Sequence, residues 1–142
     1  MPGKSKAVVS FGSNIEPRLE YLEKALKAVS RFPGTRLMAF SEAEETVPLD
    51  VPPQFSEMKF LNRLAIFETE LSPYGFSSLM HKVEDELGRV RTVKNGPRTI
   101  DIDLIDFDGI VLDDPMLTLP HPRAKDRDFV MRPWKELLNR IR

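Results

Sequence analysis

Apolar positions along the chain fall into two rhythms that together predict strands joined by amphipathic helices. Ala7–Phe11 is a run of small and β-branched residues, the composition of a strand. Gly12-Ser13-Asn14 follows as a turn in which Ser13 or Asn14 can cap a helix, and Pro17 suits a first helical turn. Leu19, Leu22, Leu26 and Val29 recur at three- and four-residue spacing, predicting a helix over about 16–31 that Pro33-Gly34 ends. Thr35–Phe40 reads as a strand extending toward Thr46, and residues 47–58 as a proline-rich connector. Phe60–Glu68 is the next strand. Ser72-Pro73 opens a second helix, whose stripe of Phe76, Leu79, Met80, Val83 and Leu87 stops at Gly88.

The stretch from Ile100 to Phe107 has a different pattern. Ile100, Ile102 and Leu104 alternate on one side, while Ile105 and Phe107 follow Asp101 and Asp103 on the other. A strand apolar on both faces except at one end reads as a central strand whose polar end lies at a site. Asp108-Gly109 reads as a two-residue hairpin turn into Ile110-Val111-Leu112, and a last short helix is expected from about Pro133. The order β-α-β-β-α-β with an extra hairpin strand predicts an α+β, ferredoxin-like α/β sandwich, an antiparallel sheet packed by helices. Residues 1–142 are expected to form one domain.

Composition narrows the chemistry. The 142 residues carry a net charge of −1, so no overall basic field draws the chain to nucleic acid or to a membrane surface. With no cysteine, disulfides, thiolate metal sites and cysteine nucleophiles are excluded. No apolar run approaches the roughly 18 residues of a membrane span or forms a signal-peptide core, so a soluble, cytoplasmic protein is expected.

The candidate chemistry gathers around the aspartate strand. Asp101 and Asp103 are two residues apart, so their carboxylates share a face, where desolvation and mutual repulsion oppose ionisation unless a cation compensates. Carboxylate oxygens suit Mg²⁺. The preceding loop, 89–98, carries Arg89, Arg91, Lys94 and Arg98 and no acidic residue, a charge set that can neutralise a polyphosphate. His121, fixed between Pro120 and Pro122, and Arg127 can add phosphate contacts. Phe60, Asn62 and Phe129 could sandwich and read a planar ring, although by spacing alone the phenylalanines read as core. Glu84-Asp85-Glu86 reads as a solvated helix face, and His81 as surface or cleft edge. Neither a phosphate-binding Gly-x-x-x-x-Gly-Lys-Ser/Thr loop nor a Gly-x-Gly-x-x-Gly motif is present. The site therefore reads as metal-assisted phosphoryl or nucleotidyl transfer.

In these residues the chain resembles the 6-hydroxymethyl-7,8-dihydropterin pyrophosphokinase family. The resemblance is carried by Phe11-Gly12-Ser13-Asn14, Thr46-Val47-Pro48-Leu49, Phe60-Leu61-Asn62, Glu84, Gly88-Arg89-Val90-Arg91, Gly96-Pro97-Arg98-Thr99-Ile100-Asp101-Ile102-Asp103, Pro120-His121 and Arg127-Asp128-Phe129. It implies an enzyme of folate biosynthesis that moves diphosphate from ATP to the pterin hydroxymethyl group and releases AMP. Asp101 and Asp103 would bind two Mg²⁺ ions. Arg91, Arg98, His121 and Arg127 would contact phosphates, with Glu84 and the 98–104 backbone, Ile100 and Leu104 included, near adenosine. Thr46, Pro48, Leu49, Phe60, Asn62, Asp101 and Phe129 would form the pterin pocket.

Some positions depart from the family pattern. Lys94-Asn95 stands where a tryptophan is usual, in a loop one residue shorter. His81 stands for a glutamine, Pro122 for an aromatic and Phe60 for a tyrosine, and the chain ends soon after Trp134. The expected partners are ATP and the pterin, with a monomeric chain working beside folate-pathway neighbours. Two alternatives stay open: another two-metal nucleotidyl or phosphoryl transferase on a ferredoxin-like sheet, and an inactive pterin-binding relative.

Overall fold

In a computed structural model of the chain, residues 3–47, 53–55, 59–88 and 99–141 are described. Strand β1 (Ser5–Ser13) runs down the middle of a sheet, antiparallel to β4 (Phe60–Thr69) on one side and to β5 (Asp101–Phe107) on the other. Strand β2 (Thr35–Phe40) pairs antiparallel with β4, giving the order β2-β4-β1-β5, and β3 (Glu44–Thr46) extends the same side of β4. This is the strand order of the split βαβ arrangement.

Helices α1 (Arg18–Ser30) and α2 (Pro73–Glu86) cover the back of the sheet. Leu22, Ala25, Leu26 and Val29 from α1 and Phe76, Met80 and Val83 from α2 pack with Val9, Phe11, Phe67, Ile102 and Leu104 in the larger core. Phe76 is its hub, with ring centroids 5.3 Å from Phe32, 6.1 Å from Phe67 and 6.3 Å from Phe107. Ser72 caps α2 as its sequence signals, its hydroxyl accepting from the Gly75 N–H at 3.0 Å. Helix α1 instead begins after Pro17 with no side-chain cap, so neither Ser13 nor Asn14 serves.

On the front face, helix α3 (Asp128–Arg140) covers only one end of the sheet. Val130 and Leu137 pack there on Val8, Leu64, Ile66 and Ile105, with Phe129 and Trp134 at the edge of the cluster. The helix starts five residues before Pro133, where it was expected. Its apolar residues at 130, 134, 137 and 138 continue the stripe across the proline, and their burial outweighs the missing backbone donor.

Strand β5 departs furthest from expectation. It is apolar on both faces yet lies at the edge of the sheet. Its outer edge is occupied in other ways: the Glu84 carboxylate of α2 accepts from the Ile102 N–H at 2.8 Å, and the His121 N–H donates to the Ile105 carbonyl at 2.8 Å. Val9 pairs with Leu104 but Val8 with Asp106, so Ile105 forms a bulge. The bulge turns Phe107 into the back core, on the opposite face from the aspartates it was expected to follow.

Asp108 and Gly109 make the expected tight turn, both with positive φ, and the Ile110 N–H closes it onto the Phe107 carbonyl at 3.0 Å. With the edge of β5 already engaged, the chain beyond the turn pairs with itself. Strands β6 (Leu112–Asp114) and β7 (Leu117–Leu119) form a separate two-stranded sheet. Tyr74 of α2 fastens this hairpin by donating to Asp114 at 2.9 Å.

Candidate active site

The strand register builds the site. Asp101, Gly12, Asn62 and Glu44 form one row across β5, β1, β4 and β3, and their side chains therefore share the front face. The next row toward α3 holds Asp103, Ser10 and Leu64, and beyond it lies the apolar floor of Val8 and Ile66. The front face is thus apolar under α3 and polar where α3 no longer covers it, as the composition of β5 implies.

Two walls rise beside this polar row. Phe60 and Thr46 are paired at the β3 end, and the Asn62 amide donates to the Thr46 hydroxyl at 2.5 Å. Gly12 leaves room for that amide: a Cβ at position 12 would lie 2.9 Å from Asn62 Oδ1 and 3.6 Å from the Phe60 ring. The other wall is the start of α3, where Phe129 lies under the Arg127 guanidinium at 5.7 Å. Pro48 and Leu49 lie outside the described residues.

Asp103 is partly exposed, and its Oδ1 lies 3.9 Å from His121 Nε2. His121 Nδ1 accepts from the Arg123 N–H at 3.2 Å, which leaves the ring proton of the neutral imidazole on Nε2, facing the aspartate. Burial pushes the His121 pKa below the ordinary histidine value. The nearby charge of Arg127 and, more weakly, that of Arg123 act in the same direction, against the opposing pull of Asp101. These causes favour the neutral ring, a donor that brings no charge of its own.

Among the described residues no three histidine, aspartate or glutamate side chains gather to cage a metal. Two carboxylates two residues apart on one polar face fit Mg²⁺, which is commonly bound by one or two carboxylates with substrate phosphates and water completing its octahedron. Arg91 and Arg98, the other expected phosphate ligands, lie outside the described residues, as does the rest of the basic loop, 89–98.

Glu84 overturns the bland reading of its acidic run. Asp85 and Glu86 are exposed, but Glu84 is 2% exposed, with one oxygen on the Ile102 N–H and the other 3.1 Å from His81 Nδ1. The helical spacing carries the signal that its acidic neighbours lack: Glu84 lies four residues after Met80 and three before Leu87, on the buried stripe of α2, and the packing of α2 against the edge of β5 gives its carboxylate a partner. His81 is exposed, as read from the sequence.

Comparison with known proteins gives the family. Residues 8–139 match the family described as 7,8-dihydro-6-hydroxymethylpterin-pyrophosphokinase. A 2-amino-4-hydroxy-6-hydroxymethyldihydropteridine pyrophosphokinase of Pseudomonas aeruginosa is 36% identical over 137 residues, 96% of this chain and 83% of that protein. The folic acid synthesis protein fol1 of Schizosaccharomyces pombe is also 36% identical, over 127 residues, but this chain spans only 17% of its length. The crystal structure of Plasmodium falciparum HPPK-DHPS with pterin and p-hydrobenzoate shares the fold, with a TM-score of 0.68 at 15% identity. That match covers 92% of this chain and 40% of the solved one. The chain belongs to the 7,8-dihydro-6-hydroxymethylpterin-pyrophosphokinase family and is a pyrophosphokinase.

Proposed function

We propose that this chain transfers diphosphate from ATP to the hydroxymethyl group of 6-hydroxymethyl-7,8-dihydropterin in folate biosynthesis, releasing AMP, with Mg²⁺ required. The observation that carries the reading is the row Asp101–Gly12–Asn62, which puts the aspartate-bearing end of β5 on the same face as the Asn62–Thr46 hydrogen-bonding edge and the Phe60 ring. Family membership supplies the substrate class, and the relative from Pseudomonas aeruginosa carries it in its name.

Asp101 and Asp103 would hold two Mg²⁺ ions. When bound, these ions neutralise the phosphate oxygens and so make the phosphorus open to attack. The Nε2–H of His121 and the guanidinium of Arg127, with the side chains of Arg91 and Arg98, would donate to phosphate oxygens. Glu84 already satisfies the Ile102 N–H. It would therefore shape the adenosine side by fixing the edge of β5, leaving recognition to the remaining backbone around Ile100 and Leu104. Asn62 and Thr46 would read the polar edge of the pterin while Phe60 and Phe129 pack against its faces. Positioning and charge neutralisation would supply the rate enhancement, with no covalent intermediate on the protein.

AMP release should need ATP, Mg²⁺ and the pterin together, stop on addition of EDTA and return with excess Mg²⁺. Release that persists without the pterin would contradict the reading. Gly12→Ala tests the pterin edge alone. Its methyl group would displace the Asn62 amide, so the KM for the pterin is expected to rise by about tenfold or more while that for ATP changes little. Steady-state kinetics with each substrate varied in turn provide the check.

A further inference from the structure

Strand β3 carries Thr46, yet little apolar contact holds it. It has three residues, of which Glu44 and Glu45 are exposed and Thr46 half-buried, and its ladder is to β4. A strand so short is marginal on its ladder alone.

What else grips it is charge, applied from both faces. On the front, Glu44 pairs with the Arg132 guanidinium of α3, which also lies 3.5 Å from both Asp128 and Glu136 on its own helix. On the back, Glu45 pairs with Arg18 of α1 at 3.0 Å. Arg18 also binds Glu16 at 2.8 Å and donates to the Lys59 carbonyl at 3.1 Å, just before β4 begins. It thereby ties together the two stems of the 47–58 connector. Arg132 lies one turn beyond Phe129, so its bond to Glu44 spans the two walls of the site, from α3 to β3.

We infer that Arg132 is a positioning residue for the pterin. Its ion pair with Glu44, backed by Arg18 on Glu45, fixes the distance between the Phe129 wall and the Thr46–Asn62 edge. This rests on the pterin reading of the pocket. Exposed ion pairs add little to global stability, so the effect should be local. Removing the brace lets β3 drift from α3 and loosens the pterin edge, while the aspartate pair on β5, two strands away from β4, keeps its geometry.

The test is a double-mutant cycle of Arg132→Met and Glu44→Gln, with KM measured for each substrate. Each single change should raise the pterin KM about three- to fivefold, with the ATP KM and kcat within about twofold of the parent. The double variant should be no worse than either single one, and Arg132→Lys should recover part of the loss. Added salt should weaken pterin binding in the parent more than in Arg132→Met. An unchanged pterin KM, an equal rise for both substrates or additive single effects would each overturn the proposal. If Arg132→Met fails to fold, Glu44→Gln asks the same question from the other wall. A fluorescence titration of the parent with the pterin separates the two claims: no binding there defeats the pterin reading, whereas equal binding by parent and variants defeats the brace alone.

Discussion

Replacing Asp101 or Asp103 with alanine is expected to cut turnover about a hundred- to a thousandfold while leaving the protein folded. Each carboxylate would hold an ion that neutralises charge on the reacting phosphates, and losing one such stabilising contact in a preorganised site commonly costs two to three orders of magnitude. Stability should follow a different course. The two carboxylates share one face of β5, so removing either relieves repulsion in the unliganded protein. The thermal midpoint is therefore expected to stay within a few degrees of the parent or to rise slightly. Circular dichroism melts beside turnover measurements make the check. A collapse of the thermal midpoint would mean that the pair is structural.

The largest effect on stability is expected at Phe76. Its side chain is fully buried and meets the rings of Phe32, Phe67 and Phe107, so it joins α2 to the sheet, to the end of α1 and to the last turn of β5. Phe76→Ala removes that hub and leaves a cavity which three surrounding rings cannot easily fill. A loss of about 3–5 kcal/mol is expected, a large share of what holds a domain of this size together. Urea unfolding followed by fluorescence measures it, and a loss below about 1 kcal/mol would show that the rings repack freely. The edge of β5 should suffer as well, because α2 also carries Glu84 to the Ile102 N–H.

Much of this arrangement was legible in the sequence because it rests on periodicity. The spacing of Leu22, Leu26 and Val29, and of Phe76, Met80 and Val83, gave both back helices and their buried faces. The two-residue offset of Asp101 and Asp103 placed both carboxylates on one face, where the register with Gly12 and Ser10 puts them. What periodicity cannot carry is the treatment of an edge. Strand β5 looked central because it is apolar on both sides, but side-chain and loop groups cover its outer edge where a neighbouring strand would lie. A single inserted residue, the Ile105 bulge, sent Phe107 to the other face, and no alternation rule locates a bulge in advance. The extension of α3 through Pro133 was missed for a related reason: a local cost set by one residue gave way to a stripe of burial set by several.

The site divides in the same way. Asn62 was singled out with Phe60 and Phe129 as a set that could read a planar ring, and Thr46 by motif resemblance; the register joins the two in one hydrogen bond. Glu84 was marked by resemblance too, but its burial depends on long-range packing between α2 and β5. Arg132 and Glu44 lie 88 positions apart and carry no signal of association in the chain itself. They pair only because β3 and the start of α3 flank the same opening.

Following the three phosphorus atoms of ATP by ³¹P NMR in a mixture with Mg²⁺ and 6-hydroxymethyl-7,8-dihydropterin tests the central claim most directly. The expected result is AMP and a pterin diphosphate in equal amounts, with the β and γ phosphorus atoms both carried to the pterin. ADP with a pterin monophosphate, or free pyrophosphate with a nucleotidyl product, would contradict it.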